Sequence, residues 1–212
     1  RNAVSVTSIS ELLYADRVVF VEGASDVKAL EVLTEGVTWD GASIRFEPLR
    51  SPDNIDQQPF INALRAVSRG FRTGPGTQPV LLLDADKGAK IDEVAEKSGF
   101  LVHMVGVNGH DMESMFADVA FLKAYFGTNH VVNDASIESV VKDILPPAKQ
   151  PKSKPEKASQ RLRELHDKLL PNKLPGGKSA LLEALATFHQ SPAWKTPLEG
   201  VQKLIDKLKG KS

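Results

Sequence analysis

Two apolar runs in this chain end in carboxylates. Val18–Val21 (VVFV) leads into Glu22, with Asp26 four residues further on, and Val80–Leu83 (VLLL) leads into Asp84-Ala85-Asp86. A third acidic pair, Asp111 and Glu113, lies in GHDMESMF (109–116). Carboxylates brought together repel one another and lose hydration, so a site built from them needs compensating positive charge. Hard dications supply it, because Mg²⁺ or Mn²⁺ takes oxygen ligands and tolerates several at once. Phosphodiester hydrolysis suits such a site. It needs an activated water, in-line geometry and help for the leaving oxyanion, and two ions about 4 Å apart provide all three. The expected ligands are Glu22, Asp26, Asp84, Asp86, Asp111 and Glu113. Glu22, Asp26 and Asp84 are assigned to one ion and Asp86 with Glu113 to the other, with Asp84 as a possible bridge. Asp26 opens an expected helix and Asp111 precedes another, so helix capping is the competing role for each.

Lys178, in LPGGKSALLEAL (174–185), is the cation expected to act on a scissile phosphate. The GGKS string suggests a P-loop, but that motif needs Gly six residues before the Lys, where Asn172 stands, and no strand precedes it. What remains is a Gly-Gly turn opening a helix, whose N-terminus with an added Lys attracts anions; a surface lysine is the plainer alternative. Arg65, Arg69 and Arg72 border a Gly-rich loop and are the candidates for guiding a DNA backbone, although a solvated helix face accounts for them equally well. The five histidines show no H-x-x-x-H pairing, which argues against zinc. Only His110 adjoins an acidic motif, as a proton shuttle or an ordinary loop histidine. Trp39 and Trp194 are expected in packing roles.

These residues need a scaffold. A continuous Val/Leu/Phe run reads as a strand buried on both faces, as in a parallel sheet. Strands are expected at Arg17–Glu22, Ser43–Glu47, Pro79–Asp84 and Phe100–Val105. Helices are expected over Thr7–Tyr14, Asp26–Thr34, Asn54–Arg69, Ala89–Ser98, Met112–Tyr125 and Ala135–Leu145. Strand and helix alternate, which predicts an α/β fold: a Rossmannoid parallel sheet flanked by helices. Sites in such sheets lie at the carboxyl ends of the strands, where the acidic residues fall. Beyond Pro146–Pro155 (PPAKQPKSKP), whose composition suits an extended linker, helical patterns cover Glu156–Leu170, Lys178–Gln190 and Pro197–Lys209.

The predicted organisation is therefore a catalytic domain over 1–145, a Pro/Lys-rich linker over 146–155 and a small C-terminal all-helical domain over 156–212. The net charge of zero conceals an asymmetry. Residues 1–145 hold 13 Lys+Arg against 21 Asp+Glu, and residues 146–212 hold 14 against 6. An acidic part joined to a basic one fits metal on one side and a polyanion on the other, unless the lysines merely solvate a surface. The chain has no cysteine, which removes disulfides and thiolate metal sites and fits a reducing cytoplasmic setting. No apolar run nears the roughly 20 residues that span a bilayer, so no membrane partner is expected. Arg1 stands where a start methionine is expected, which suggests a piece of a longer protein.

The segment VVFVEGASDVKAL (18–30) resembles the first motif of the Toprim domain, a hydrophobic strand ending in Glu-Gly. VLLLDADKGAK (80–90) resembles the second, a strand ending in Asp-x-Asp, in matching order and spacing; the resemblance covers roughly residues 15–116. The chain is most similar to the Toprim domains of OLD-family (overcoming lysogenization defect) nucleases, which lie behind an ABC-type ATPase domain. Asp26 follows Glu22 by four residues, Gly88 replaces the third Asp of the topoisomerase pattern, and Asp111 with Glu113 looks like that family's further acidic motif. A basic helical extension accompanies the domain there as well. The resemblance implies a Mg²⁺- or Mn²⁺-dependent DNA endonuclease or exonuclease, an upstream ATPase domain and an oligomer formed through that region. Three alternatives stay open: a topoisomerase or primase-like Toprim enzyme, a receiver-like signalling module, and a docking module without catalysis. Strand passage needs a tyrosine nucleophile, and Tyr14 and Tyr125 stand in no recognisable setting for one.

Overall fold

The computed structural model describes residues 17–39, 42–49, 58–70, 79–85, 94, 97–127, 131–145, 157–170 and 179–210. Its centre is a four-stranded sheet of β1 (Arg17–Val21), β2 (Ile44–Pro48), β3 (Val80–Asp84) and β4 (Leu101–Val105), in the order β2-β1-β3-β4. Every pairing is parallel, as the alternation of strands and helices predicts.

The apolar runs are continuous because both faces of the central strands are covered. Val18, Phe20, Leu81 and Leu83 face one layer with Leu49, Leu64, Val94 and Phe100. Phe20 meets Phe100 edge to face at 5.5 Å. Val19, Val21, Val80 and Leu82 face the other layer. There, α1 (Ala24–Thr34) contributes Ala29, Leu30 and Leu33. On the first layer, α2 (Gln58–Gly70) supplies Leu64.

The remaining helices of the described residues are α3 (Val119–Phe126), α4 (Val131–Ile144), α5 (Ala158–Leu169), α6 (Ser179–Gln190) and α7 (Glu199–Leu208). The expected C-terminal helices are therefore present. They share a core with the sheet: Leu162, Leu165, Leu181, Leu185, Leu204 and Leu208 belong to the same buried cluster as Val19 and Leu30. Helix α6 packs along α1, and Gln190 Nε2 donates to the Leu33 carbonyl at 2.9 Å. At Gly200, α7 runs so close to Met115 that an added Cβ would sit 3.1 Å from the Met115 backbone.

Three expected boundaries are corrected. Helix α1 starts at Ala24, because extended Gly23 is its N-cap and Asp26 occupies the third helical position. The helix expected over Met112–Tyr125 is two pieces, a 3₁₀ helix at Met112–Phe116 and then α3. The break has a local cause: the Asp118 carboxylate accepts from the Phe121 N–H at 2.8 Å and starts a new helix. Helix α4 starts at Val131, ahead of the expected Ala135. The expected lead-in helix at Thr7–Tyr14 and the Pro146–Pro155 linker lie outside the described residues, as does most of Ala89–Ser98.

Candidate functional site

All four strands are parallel, so their carboxyl ends share one rim of the sheet. Chain order reverses between β1 and β3, since β2 lies on one side of β1 and β3 on the other. Open α/β sheets bind ligands at this switch point. Glu22 directly follows β1 and Asp84 closes β3, so the two carboxylates sit on either side of it.

Hydrogen bonds join the strand ends. Glu22 Oε1 accepts from the Asp84 N–H at 3.0 Å. Asp84 Oδ1 accepts from the N–H of Met112, the first residue of the 3₁₀ helix, also at 3.0 Å. Asp26 reaches back to the start of α1: its Oδ2 accepts from the Gly23 N–H at 2.8 Å, and its Oδ1 lies 3.4 Å from the donating Ser25 hydroxyl. Asp26 thus makes the capping contact that sequence offers as its alternative role.

Asp111 is 2% exposed. It makes no side-chain cap to its own 3₁₀ helix. Instead its carboxylate caps α5, 48 residues away. The Ser159 N–H donates to Oδ1 at 3.1 Å and to Oδ2 at 3.2 Å, and the Ser159 hydroxyl donates to Oδ2 at 2.6 Å.

The electrostatics place these groups in one another's fields. Burial pushes the Asp84 carboxyl up to about 9, and the negative charges of Glu22, Asp26, Glu113 and Asp111 add to the shift. Burial likewise pushes Glu113 up to about 8, with Asp111 and Asp26 contributing and Lys157 pulling the other way. Asp26 is also raised, by burial first and Asp111 in addition, against its bonds from Gly23 and Ser25. Five carboxyl groups from separate stretches of chain therefore converge, and Asp26, Asp84 and Glu113 among them are raised. Their donor set is all oxygen, which fits a hard dication in kind. Among the described residues, no three acidic or histidine side chains stand close enough together to enclose an ion as they are placed.

Asp86, Lys178 and Arg72 lie outside the described residues. Arg65, on α2, donates through Nε to the Lys97 carbonyl, which ties it to the segment before β4. Arg69, on the same helix, is exposed. His110 is buried beside the acidic turn. Trp194 packs edge to face on Phe121 at 5.2 Å, and Trp39 packs at the margin of the core under the Lys209 ammonium, 5.9 Å from the ring centre.

Three supporting residues escape a reading of the sequence. Gly106 adopts φ 107, and a Cβ there would collide with the carbonyl oxygens of His110 and Asp111. Buried Ser114 accepts from the Val107 N–H at 2.7 Å and donates to the Asp111 carbonyl at 2.6 Å. The paired glycines of GVNGHD signal a tight turn here. Ser159 carries no such signal, because nothing local marks a partner 48 residues away.

No family model matches the chain, and no curated protein matches it. Among solved structures, it is similar to the C-terminal region of the OLD protein of Xanthomonas campestris pv. campestris. The match covers 93% of this chain and 97% of that one, at 16% identity and a TM-score of 0.39. A superposition this loose carries neither fold nor chemistry across; the α/β class rests on the parallel sheet itself. Among the described residues, no helix is long and apolar enough to cross a membrane.

Proposed function

We propose that this chain is a metal-dependent DNA nuclease module that hydrolyses phosphodiester bonds at the carboxyl ends of β1 and β3, using a pair of Mg²⁺ or Mn²⁺ ions. The observation that carries this reading is the convergence of Glu22, Asp26, Asp84, Asp111 and Glu113, with Asp84 pushed to about 9 and Glu113 to about 8. Groups held so far from their ordinary ionisation are costly to a fold and cluster at functional sites. The motif resemblance to the Toprim domains of OLD-family nucleases supports the same chemistry.

When bound, the ions supply an activated water and a clamp on the scissile phosphate. The chain's residues then divide the work. Glu22, Asp26 and Asp84 would hold one ion, and Asp86 with Glu113 the other. Glu22 also steadies the end of β3 by accepting the Asp84 N–H. Lys178, just ahead of α6, meets the charge that develops on the phosphate. Arg69 and Arg72 follow the DNA backbone; Arg65, tied to Lys97, contributes charge from a fixed position. The setting we infer is the cytosol, with an upstream ATPase domain in the whole protein and assembly through that region. Strand passage is less well supported. Tyr125 is half-buried against Phe121, Phe126 and Phe188, and burial raises its hydroxyl, the wrong direction for a nucleophile.

Incubation of supercoiled plasmid with Mg²⁺, Mn²⁺ or EDTA tests the reading. Nicking or degradation with metal, abolished in a folded Asp84→Ala variant, is the expected result. Lys178→Ala should slow cleavage more than it weakens DNA binding. Relaxed, covalently closed topoisomers would move the assignment to strand passage, and an inert chain under every metal would refute hydrolysis.

A further inference from the structure

The bond between Asp111 and Ser159 connects the acidic turn to the C-terminal helices. Helix α5 begins after Lys157, which gives it no side-chain cap. Its N-terminal donors are met instead from across the fold: Ser159, at the second helical position, gives both its N–H and its hydroxyl to Asp111. Asp111 is held at its main chain as well, where its carbonyl accepts from the Ser114 hydroxyl at 2.6 Å and the Ser114 N–H at 3.1 Å. Glu113 lies two residues further on, in the 3₁₀ helix whose first N–H binds Asp84. The position of that short helix against the strand ends is therefore set from two sides: by Asp84 within the sheet, and by Ser159 on α5.

We propose that Ser159 is a positioning residue of the carboxylate cluster: it fixes Asp111 and the turn that carries Glu113, so dication affinity at the strand ends depends on a hydroxyl from the C-terminal helices. This rests on the nuclease reading above. Outer partners that orient the groups around a metal are typically worth 10- to 100-fold in affinity; here the oriented ligand is Glu113, reached through Asp111 two residues before it. The positive end of the α5 dipole adds to the effect by facing the acidic turn.

The test is calorimetric titration of Mn²⁺ into the full chain and its Ser159→Ala and Ser159→Thr variants, with melting temperatures measured alongside. Ser159→Ala should bind Mn²⁺ about tenfold more weakly, and Ser159→Thr, which keeps the hydroxyl, should restore affinity to within about twofold. A lower melting temperature with unchanged Mn²⁺ affinity would overturn the proposal, because a purely structural cap behaves that way. If Ser159→Ala does not fold, Ser159→Cys replaces it, with weakened affinity expected and unchanged affinity overturning the proposal. Absence of Mn²⁺ binding by the unsubstituted chain is a different failure: it removes the nuclease reading and the role of Ser159 with it.

Discussion

Asp84→Asn should stabilise the metal-free protein at alkaline pH, although it alters the residue at the centre of the site. The Asp84 carboxyl rises from 3.8 to about 9 on folding, first through burial and then through its acidic neighbours. A carboxyl raised in the folded state keeps a proton that the unfolded chain has already lost. Stability is therefore full below the unfolded value and declines as pH climbs toward the folded one, by about 1.4 kcal/mol per pH unit per group. The window from pH 7.0 to 8.5 holds this effect together with a smaller one of the same sign from Glu113, at about 8, and the Asp84→Asn comparison separates the two. His103, His166 and His189 are lowered by burial and would titrate below it, with the opposite sign. Across that window Asp84 alone contributes a loss of about 2 kcal/mol. For a chain of this size that is roughly 4–8 °C in melting temperature. Thermal melts in EDTA should show this decline in the natural protein, at least halved in Asp84→Asn, whose amide has no charge to develop. Added Mn²⁺ should restore the natural protein at pH 8.5 and leave the variant almost unchanged. A flat or rising stability profile in the natural protein, or an Asp84→Asn variant less stable at pH 8.5, would refute the reasoning.

Two further substitutions probe the surroundings. Gly106→Ala places a Cβ against the His110 and Asp111 carbonyls at a positive φ, and should cost at least about 2 kcal/mol in urea denaturation. His189→Leu should be neutral or stabilising by about 1 kcal/mol. Both ring nitrogens of His189 are buried without a hydrogen-bond partner among Phe116 and Phe121, and burial lowers the imidazole. The gain should grow below pH 6, where the unfolded histidine takes up a proton that the buried ring resists; melts at pH 5 and pH 7 would show it.

The parts of the fold that could be read from the sequence are those where a local pattern reports a global environment. Val18–Val21 and Val80–Leu83 are apolar at every position because the sheet is covered on both faces, so strand type, parallel pairing and the placing of Glu22 and Asp84 follow together. Helices α5 to α7 were legible from leucine spacing. Their partners were not, α1 for α6 and the 3₁₀ helix for α5 and α7, because an apolar stripe does not name its partner. The break between the 3₁₀ helix and α3 turns on one cap at Asp118, inside an otherwise helical pattern. Asp111 is the instructive case. Its two roles could not be separated from its own neighbourhood, and the bond that defines its setting reaches Ser159 on α5. Asp26 makes its capping bond to Gly23, as its place near a helix start allows, while still lying in the field of the cluster.

The central claim is that acidic groups from separate stretches of chain converge to hold dications. Mn²⁺ calorimetry on the full chain at pH 7.5, repeated in two buffers of different ionisation heat, tests it most directly. Asp84 and Glu113 hold protons at that pH, so binding should displace about one to two protons, and the measured heat should differ between the buffers accordingly. No binding heat in either buffer would contradict the account.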